Sequence, residues 1–196
     1  MDRNSPLPTG RMAYGTVIAQ ARDWPIEAVT LDSPALDVMT DLTRVKAATT
    51  SPSTSLRQAE QIMIYQGVRM LFVVSDMPVV EGLVTLTDLH SDNQMRLVQQ
   101  RNARYDELTV GDVMTRPANL DAIDHDLMKS ASVGNVIATL RRFGRNHLLV
   151  VEAAGADTPR RVRGVISRTQ IERQIGAPIA VTEVANTFAE VVQMLS

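Results

Sequence analysis

Two short stretches of the sequence place polar groups directly after an apolar run that begins with glycine. The first reads GLVTLTDL and contains Thr85 and Asp88, and the second reads GVISRTQI and has Ser167 and Gln170 in the corresponding places. The hydroxyl of Thr85 can donate a hydrogen bond, and the carboxylate of Asp88 can accept from two neighbouring hydroxyl groups at once. Gln170 can make similar hydrogen bonds, but it lacks the charge that strengthens them.

Both stretches also have the form of a helix capping box, which needs no ligand. In such a box, the first hydroxyl and the side chain three residues later each bond the backbone N–H group of the other residue. If a helix begins just after Thr85, its first N–H groups and its dipole also favour an anion nearby. The two roles are compatible, because Thr85 can cap a helix and still face a cleft.

The elements that must position these stretches occur twice. The string DVMT is found at 37–40 and again at 112–115, and the same order of features follows each copy. That order predicts an α/β (α+β) fold of two tandem repeats, each with the order strand, helix, strand, strand, helix. Each copy has only about 60 residues, which is marginal for an independent core. We therefore expect the two repeats to pack together with pseudo-two-fold symmetry.

Local patterns predict the elements of each copy. In the first copy we expect strands over 45–50, 70–74 and 79–85, and a helix from Ser55 to Gln66 that begins with the Ser55/Gln58 capping box and ends at Gly67. In the second copy we expect strands over 119–123, 147–151 and 161–167, and a helix with the apolar stripe Val133, Val136, Ile137 and Leu140 that ends at Gly144.

The whole chain divides into five predicted segments. They are a partly disordered N-terminal extension, the first repeat, an exposed helical linker, the second repeat and a C-terminal amphipathic helix, over 1–34, 35–95, 96–109, 110–176 and 177–196 respectively. The last segment carries an apolar stripe of Val184, Phe188, Val191 and Leu195, so we expect it to dock on its own chain or on a partner.

Composition and motifs exclude several functions. The formal net charge of −2 argues against non-specific nucleic-acid binding. The chain has no cysteine for thiolate chemistry and no run of about 20 apolar residues for a membrane helix, so we expect a cytoplasmic protein. The acidic stretch DAIDHD, residues 121–126, reads as a turn with capping carboxylates rather than a metal loop. Catalytic signatures are missing from the sequence, so we predict that the protein is not an enzyme.

The duplicated order, the DVMT strings and the motif at Gly82, Thr85 and Asp88 resemble a CBS-domain pair, or Bateman module, over roughly residues 35–176. The resemblance is to a stand-alone CBS-domain protein of the bacterial type. It implies a ligand that contains adenosine, namely AMP, ADP, ATP or S-adenosylmethionine, bound in clefts between the repeats without need of a metal. It also implies a homodimer formed through the repeat helices, and a change of shape on binding that is passed to an unidentified partner protein.

The resemblance assigns roles to individual residues. Asp88 would hold the ribose, Gly82 would let a flat base approach the backbone, and Arg69, His147 and Arg168 would lie near phosphates. The complete set of predicted ligand contacts is Thr40, Val45, Arg69, Gly82, Thr85, Asp88, Thr115, Leu120, His147, Gly164, Ser167, Arg168 and Gln170. We expect two unequal sites, the better one beside Asp88. The alternative is a ligand-independent dimerisation or scaffold module in which both motifs are only helix caps.

Overall fold

The structure, a computed structural model, describes residue 11 and residues 13–16, 27–91, 93–101, 104–153 and 159–180. Within these residues the strands are β1 (Met39–Asp41), β2 (Thr49–Thr50), β3 (Met70–Val73), β4 (Gly82–Thr85), β5 (Ala122–Asp124), β6 (His147–Glu152) and β7 (Arg161–Ser167). The α-helices are α1 (Leu56–Gln66), α2 (Leu86–Leu89), α3 (Asn93–Arg101), α4 (Val110–Val113), α5 (His125–Met128), α6 (Val133–Phe143) and α7 (Arg168–Ile175). Short 3-10 helices cover Ala35–Val38, Tyr105–Glu107 and Pro117–Asn119.

The two repeats build two sheets with matching order. In the first sheet, β2 pairs in parallel with β3, and β3 pairs antiparallel with β4. In the second sheet, β5 pairs in parallel with β6, and β6 pairs antiparallel with β7. The strand, helix, strand, strand, helix order of each repeat is therefore confirmed, with the single turn of α5 added between β5 and α6.

The long repeat helices begin and end where the sequence indicates. Ser55 caps α1 in a capping box with Gln58, and α1 ends at Gly67, whose φ of 65° is left-handed. Ser132 caps α6 in the same way, and Gly144 ends α6 with a φ of 59°. Each helix covers the outer face of its own sheet with its apolar stripe.

The inner faces of the two sheets pack against each other. Met70, Phe72 and Leu83 of the first sheet form one buried cluster with Leu149 and Val165 of the second sheet. This shared cluster explains why a repeat of about 60 residues does not need a complete core of its own.

Each DVMT string pairs with the opposite repeat, which the sequence did not indicate. Strand β1 lies antiparallel to β7, with Thr40 opposite Val165. In the matching place, Thr115 exchanges two backbone hydrogen bonds of 2.9 and 2.8 Å with Leu83 of β4. The segment that leads into each repeat therefore pairs with the last strand of the other, as strand β1 in one case and as a single bridge at Thr115 in the other.

Several predicted strands are shorter than expected. The stretch over 45–50 is a strand only at Thr49–Thr50, and the stretch over 79–85 only at Gly82–Thr85. The stretch over 119–123 is displaced, because Pro117–Asn119 forms a turn of 3-10 helix before β5 begins at Ala122. The neighbouring strand β3 has only four residues, and it limits how far the short strands can pair.

The predicted exposed linker helix is wrong in its exposure. Helix α3 begins at Asn93, earlier than expected, and Gln94 is 3% exposed, with its amide N–H donating to the Asp88 carbonyl over 2.8 Å. Leu97 and Val98 pack against the core of the first repeat. The helix is therefore part of the first repeat rather than a solvated connector.

Residues 27–34, the last part of the predicted N-terminal extension, pack against the second repeat. Val29 is buried in the core of the second repeat, and its N–H group donates to the carbonyl of Gln174 over 3.1 Å. Residues 1–10, 12 and 17–26 lie outside the described residues, and so does the C-terminal stripe predicted over 184–195. The chain is described as far as Ala180, where Ile179 packs into the second core.

Candidate functional site

Asp88 closes a capping box at the start of α2. The backbone N–H and the hydroxyl of Thr85 both donate to Asp88 Oδ2, over 2.8 and 2.7 Å. In return, the Asp88 N–H donates to the Thr85 hydroxyl over 3.3 Å. Both bonds to the carboxylate end on Oδ2, and among the described residues none is a hydrogen-bond donor to Oδ1. The carboxylate can therefore close the cap through Oδ2 and still accept another hydrogen bond through Oδ1.

The environment of Asp88 acts on its pKa in two directions. Burial raises the pKa of Asp88, while the hydrogen bonds from Thr85 and the positive charge of Arg145 lower it, and the net shift is upward. Arg145 comes from the second repeat, so Asp88 lies within electrostatic reach of that repeat. The role of Asp88 in ligand binding stays a prediction.

The second motif is not the capping box that its sequence predicts. The Ser167 side chain makes no capping hydrogen bond to α7. Gln170 turns instead to the first repeat, where the Thr40 hydroxyl donates to its Oε1 over 3.0 Å. The capping alternative for the second motif is therefore excluded, because a contact between repeats takes up the side chain that would have closed the box.

The two motif glycines do not leave space for a flat base. A Cβ at Gly82 would lie 2.7 Å from the carbonyl oxygen of Thr115, and a Cβ at Gly164 would lie 2.9 Å from that of Thr40 and 2.6 Å from Met39. The expected approach of a ligand to Gly82 or Gly164 is therefore wrong. Protein backbone from the opposite repeat occupies that space.

Replacing Gly82 with alanine is expected to lower the free energy of unfolding by about 2 kcal/mol, as overpacking in a core usually does. The carbonyl of Thr115 cannot move away without breaking its pairing with Leu83. Denaturant unfolding measures the loss. Gly134→Ala is the matched control, because the nearest atom to its added Cβ would be the Leu31 carbonyl oxygen at 3.3 Å, and alanine favours the helix α6. Equal stability of Gly82→Ala and wild type would refute the packing role.

Three of the predicted residues form a basic cluster, defined here as Arg69, His147 and Arg168. His147 and Ser167 are cross-strand neighbours, and the Arg168 N–H donates to the Asn146 carbonyl over 2.9 Å. Burial, together with the charges of Arg69 and Arg168, lowers the pKa of His147 to about 4. The imidazole is therefore neutral at pH 7, and the cluster carries two positive charges.

Two buried polar atoms near this cluster make no hydrogen bond to the protein. They are Arg168 Nε and Asn146 Oδ1. Arg168 Nε lies 3.6 Å from a carboxylate oxygen of Glu172, which is an ion pair but too long for a hydrogen bond. Both atoms therefore keep the capacity for a hydrogen bond.

Arg145 is the residue that sequence reasoning missed. It was grouped with the exposed arginines of a solvated face, yet its side chain is 31% exposed and its Nε lies 3.7 Å from Asp121. Its charge also acts on Asp88. One sequence signal was available, because the first repeat has the apolar Val68 in the corresponding place, next to Gly67.

The remaining predicted residues have less definite roles. Val45 is 43% exposed, Leu120 packs at the edge of the cluster between the sheets, and Thr115 is held by its backbone bonds to Leu83.

The acidic stretch over 121–126 is not the predicted turn, because it contains β5 and the start of α5. Its predicted capping carboxylate is confirmed, since Asp124 caps α5 through the N–H of Asp126 over 2.9 Å.

A separate cleft of about 430 Å³ lies at the other end of β6 and contains Glu152, Arg161 and Arg163. Its charges are already paired with one another. Arg161 and Arg163 contact Glu152, and Arg163 also contacts Asp41 of β1. The cleft is therefore an ion-pair network rather than an open binding site.

Comparisons with known proteins agree with the duplicated fold. Residues 35–91 match the model of the CBS domain family. The crystal structure of CBSX2 from Arabidopsis thaliana in complex with AMP is 22% identical, with a TM-score of 0.50 over 72% of this chain and 94% of that chain. An uncharacterized conserved protein from Pyrococcus horikoshii is also 22% identical, with a TM-score of 0.54 over 79% of this chain and 100% of that one. No curated protein sequence matches the chain.

The fold and the family match narrow the class of protein. The overall architecture is similar to that of a CBS-domain pair, in which two α+β repeats share one interface. Residues 35–91, the first repeat, are the part of the chain that matches the CBS domain family. Among the described residues, no helix has the length and apolar character needed to span a membrane.

Proposed function

We propose that the protein is a regulatory module that binds an adenine nucleotide in the cleft between its repeats. The observation that carries this proposal is the basic cluster of Arg69, His147 and Arg168 near the start of α2, where the Arg69 carbonyl accepts the N–H of Leu86 over 2.9 Å, two residues before the motif carboxylate Asp88. A nucleotide joins the two groups that such an arrangement recognises, an anionic phosphate and a ribose with two adjacent hydroxyls. The candidate ligands are AMP, ADP, ATP and S-adenosylmethionine.

The charges favour a phosphate in the cleft. The charges of Arg69 and Arg168 both lower the pKa of His147, so both lie near its imidazole, and Glu172 is an ion-pair partner of Arg168 at 3.6 Å. A phosphate beside the two guanidinium groups would add a further anionic partner and could accept a hydrogen bond from Arg168 Nε. AMP in the crystal structure of CBSX2, which shares this fold, supports the same class of ligand.

A cleft between two repeats also suits regulation. Binding can shift the protein between two arrangements of the repeats only if the ligand has different affinities for them. The signal would pass to a regulated partner protein through a homodimer. Exposed apolar side chains on the repeat helices support the dimer: Ile64 and Tyr65 near the end of α1 are 67% and 94% exposed, and Phe143 of α6 is 40% exposed.

One observation favours the second candidate, a ligand-independent dimerisation or scaffold module. The capping box of Thr85 and Asp88 recurs almost unchanged at α4, where the N–H and hydroxyl of Thr109 donate to Asp112 Oδ2 over 2.9 and 3.0 Å. A threonine–aspartate box therefore caps a helix elsewhere in this fold, outside the two repeated motifs. The basic cluster distinguishes the motif at Asp88 from that box.

A thermal-shift screen of AMP, ADP, ATP, S-adenosylmethionine and adenosine tests the proposal. A ligand at 100 times its dissociation constant should raise the free energy of unfolding by about 2.7 kcal/mol, which raises Tm by several degrees. Inorganic phosphate and guanosine nucleotides serve as controls, and chromatography of the recovered nucleotide should show it unchanged. If no adenine ligand at millimolar concentration shifts Tm, the scaffold module is the correct function.

A further inference from the structure

We propose that residues 181–196 dock on their own chain, along the outer face of α6. The sequence predicts that this segment is amphipathic, and it leaves open whether the segment docks on its own chain or on a partner. Three observations favour α6: the place where the described chain ends, an exposed apolar side chain beside α6, and the charges of the two sides. Such docking does not depend on nucleotide binding.

The described chain reaches α6 just before this segment begins. Ile179 is buried in the core of the second repeat, and its N–H donates to Glu172 Oε1 over 2.9 Å. The carbonyl of Ala180, the next residue, accepts a hydrogen bond from Arg141 Nε over 3.2 Å. Arg141 is in the last turn of α6. Residue 181 therefore starts beside the C-terminal end of α6.

One face of α6 runs from this point to an exposed apolar side chain. Gly134, Ala138 and Arg141 follow one another at intervals of four and three residues, so they lie along one side of the helix. At the far end of this side, the Gly134 N–H donates to the Leu31 carbonyl over 2.8 Å, and the Leu31 residue is 57% exposed. Ala138, between the two ends, is also exposed. These four residues are called the α6 face below.

The predicted apolar stripe of the segment has the length of the α6 face. Val184 and Val191 are seven residues apart, which is about 10 Å in a helix, and Arg141 and Gly134 are the same distance apart along α6. Because the segment starts at the Arg141 end, it would run antiparallel to α6. Val191 would then lie beside Leu31 and cover its exposed side chain.

The charges of the segment and of α6 are opposite. Residues 181–196 contain two acidic residues and no basic residue, and the first acid is Glu183. Helix α6 contains Arg141 and Arg142 and no acidic residue, and both arginines are exposed. Glu183 comes three residues after Ala180, at most about 11 Å along the chain, so it can reach these arginines. An exposed ion pair adds little energy, so the charges select the surface, while burial of the apolar stripe holds the segment there.

The matching end of α1 does not offer the same charges. Three and two residues before its closing glycine, α1 has Ile64 and Tyr65, where α6 has Arg141 and Arg142. A segment that begins with Glu183 therefore finds its cations on α6. Docking there leaves Ile64 and Tyr65, which are 67% and 94% exposed, available to the second copy of a homodimer.

A disulfide between two introduced cysteines tests the docking, since the chain has no cysteine of its own. Under mild oxidation, the double variant Leu31→Cys/Val191→Cys should form a disulfide within one chain, identified by peptide mass spectrometry of the monomer band. The control Gln61→Cys/Val191→Cys places the first thiol at an exposed position of α1. It should form at least about fivefold less intrachain disulfide, because docking raises the effective concentration of the thiols only on α6.

A charge exchange tests the orientation of the segment. Adding Glu183→Arg to the variant Leu31→Cys/Val191→Cys should lower its yield of intrachain disulfide by about threefold, as expected for an exposed ion pair. Adding Arg142→Glu as well should restore the yield. A yield that neither substitution changes would overturn the predicted contact between Glu183 and the arginines of α6.

The other outcomes each decide the proposal. Equal intrachain yields in the α6 variant and the α1 control, or none in either, would overturn it. Disulfide-linked dimers of the α6 variant would also overturn it, since they would show that the segment docks on a second copy. Hydrogen exchange of the wild-type chain gives a test without substitutions, because docked amides over 184–195 should exchange at least about tenfold more slowly than those of an unstructured peptide. Exchange at the peptide rate would contradict docking, whatever the nucleotide screen shows.

Discussion

Replacing Asp88 with alanine is expected to weaken adenine-nucleotide binding by about 100-fold. Hydrogen bonds to a charged group contribute about 1.5–3 kcal/mol each, and one such bond to the ribose at the upper end of this range accounts for the loss. Replacing Gln170 with alanine should change the affinity by less than about threefold, because Thr40 already occupies its side-chain oxygen. Calorimetry of the folded variants measures both effects.

The chain provides a matched control for the capping role of Asp88. Asp112→Ala removes an aspartate that accepts the same two hydrogen bonds from Thr109 at the start of α4. Each alanine variant should lose about 1 kcal/mol of stability with its cap, but only Asp88→Ala should lose nucleotide affinity. If the two variants bind nucleotide equally well, the carboxylate of Asp88 is a cap and nothing more.

The stability of the protein is expected to fall with pH below about 6.5 because of His147. Its pKa is lowered to about 4 in the folded protein, against an ordinary value of 6.5. Between these values the unfolded chain binds a proton that the folded chain does not, so acid favours unfolding. The free energy lost through this residue should reach up to about 3 kcal/mol near pH 4 and vanish above pH 6.5.

The variant His147→Met isolates this contribution, because methionine is the residue that the first repeat has at the same place, Met70. Other acidic groups titrate over the same range, so the quantity to follow is the difference between the variant and wild type in denaturant unfolding from pH 4 to pH 7. That difference should shift in favour of the variant as the pH falls. His90→Gln, at an exposed histidine paired with Glu60, should track wild type. A constant difference for His147→Met would contradict the buried, neutral imidazole.

The sequence predicted much of the local structure correctly because local rules decide it. The capping box at Ser55 and the left-handed glycines at 67 and 144 fix the ends of α1 and the end of α6. The first motif is also local, since Thr85 and Asp88 bond each other across one turn. In all these cases the interacting groups are three or four residues apart, so their contacts do not depend on how the rest of the chain folds.

Predictions for residues whose partners are distant in sequence were wrong more often. Gln170 has the spacing of a cap, but its partner is Thr40, which lies in the other repeat. Arg145 reads as one more surface arginine, and only the folded chain places it near Asp88. The helix α3 has a polar sequence, yet the fold buries Gln94, because the amide finds an acceptor in the Asp88 carbonyl.

The sequence by itself determined that this protein is a duplicated α+β chain with two unequal polar motifs. Duplication, periodicity and capping all depend on residues that are close together in the sequence. Only the tertiary structure decided that the segment before each repeat pairs with the last strand of the opposite repeat. That exchange fills the space above Gly82 and Gly164 with backbone and brings Thr40 to Gln170. The physical reason is that strand pairing between repeats depends on which edge of a sheet is left unpaired, and the local sequence does not show which edge that is.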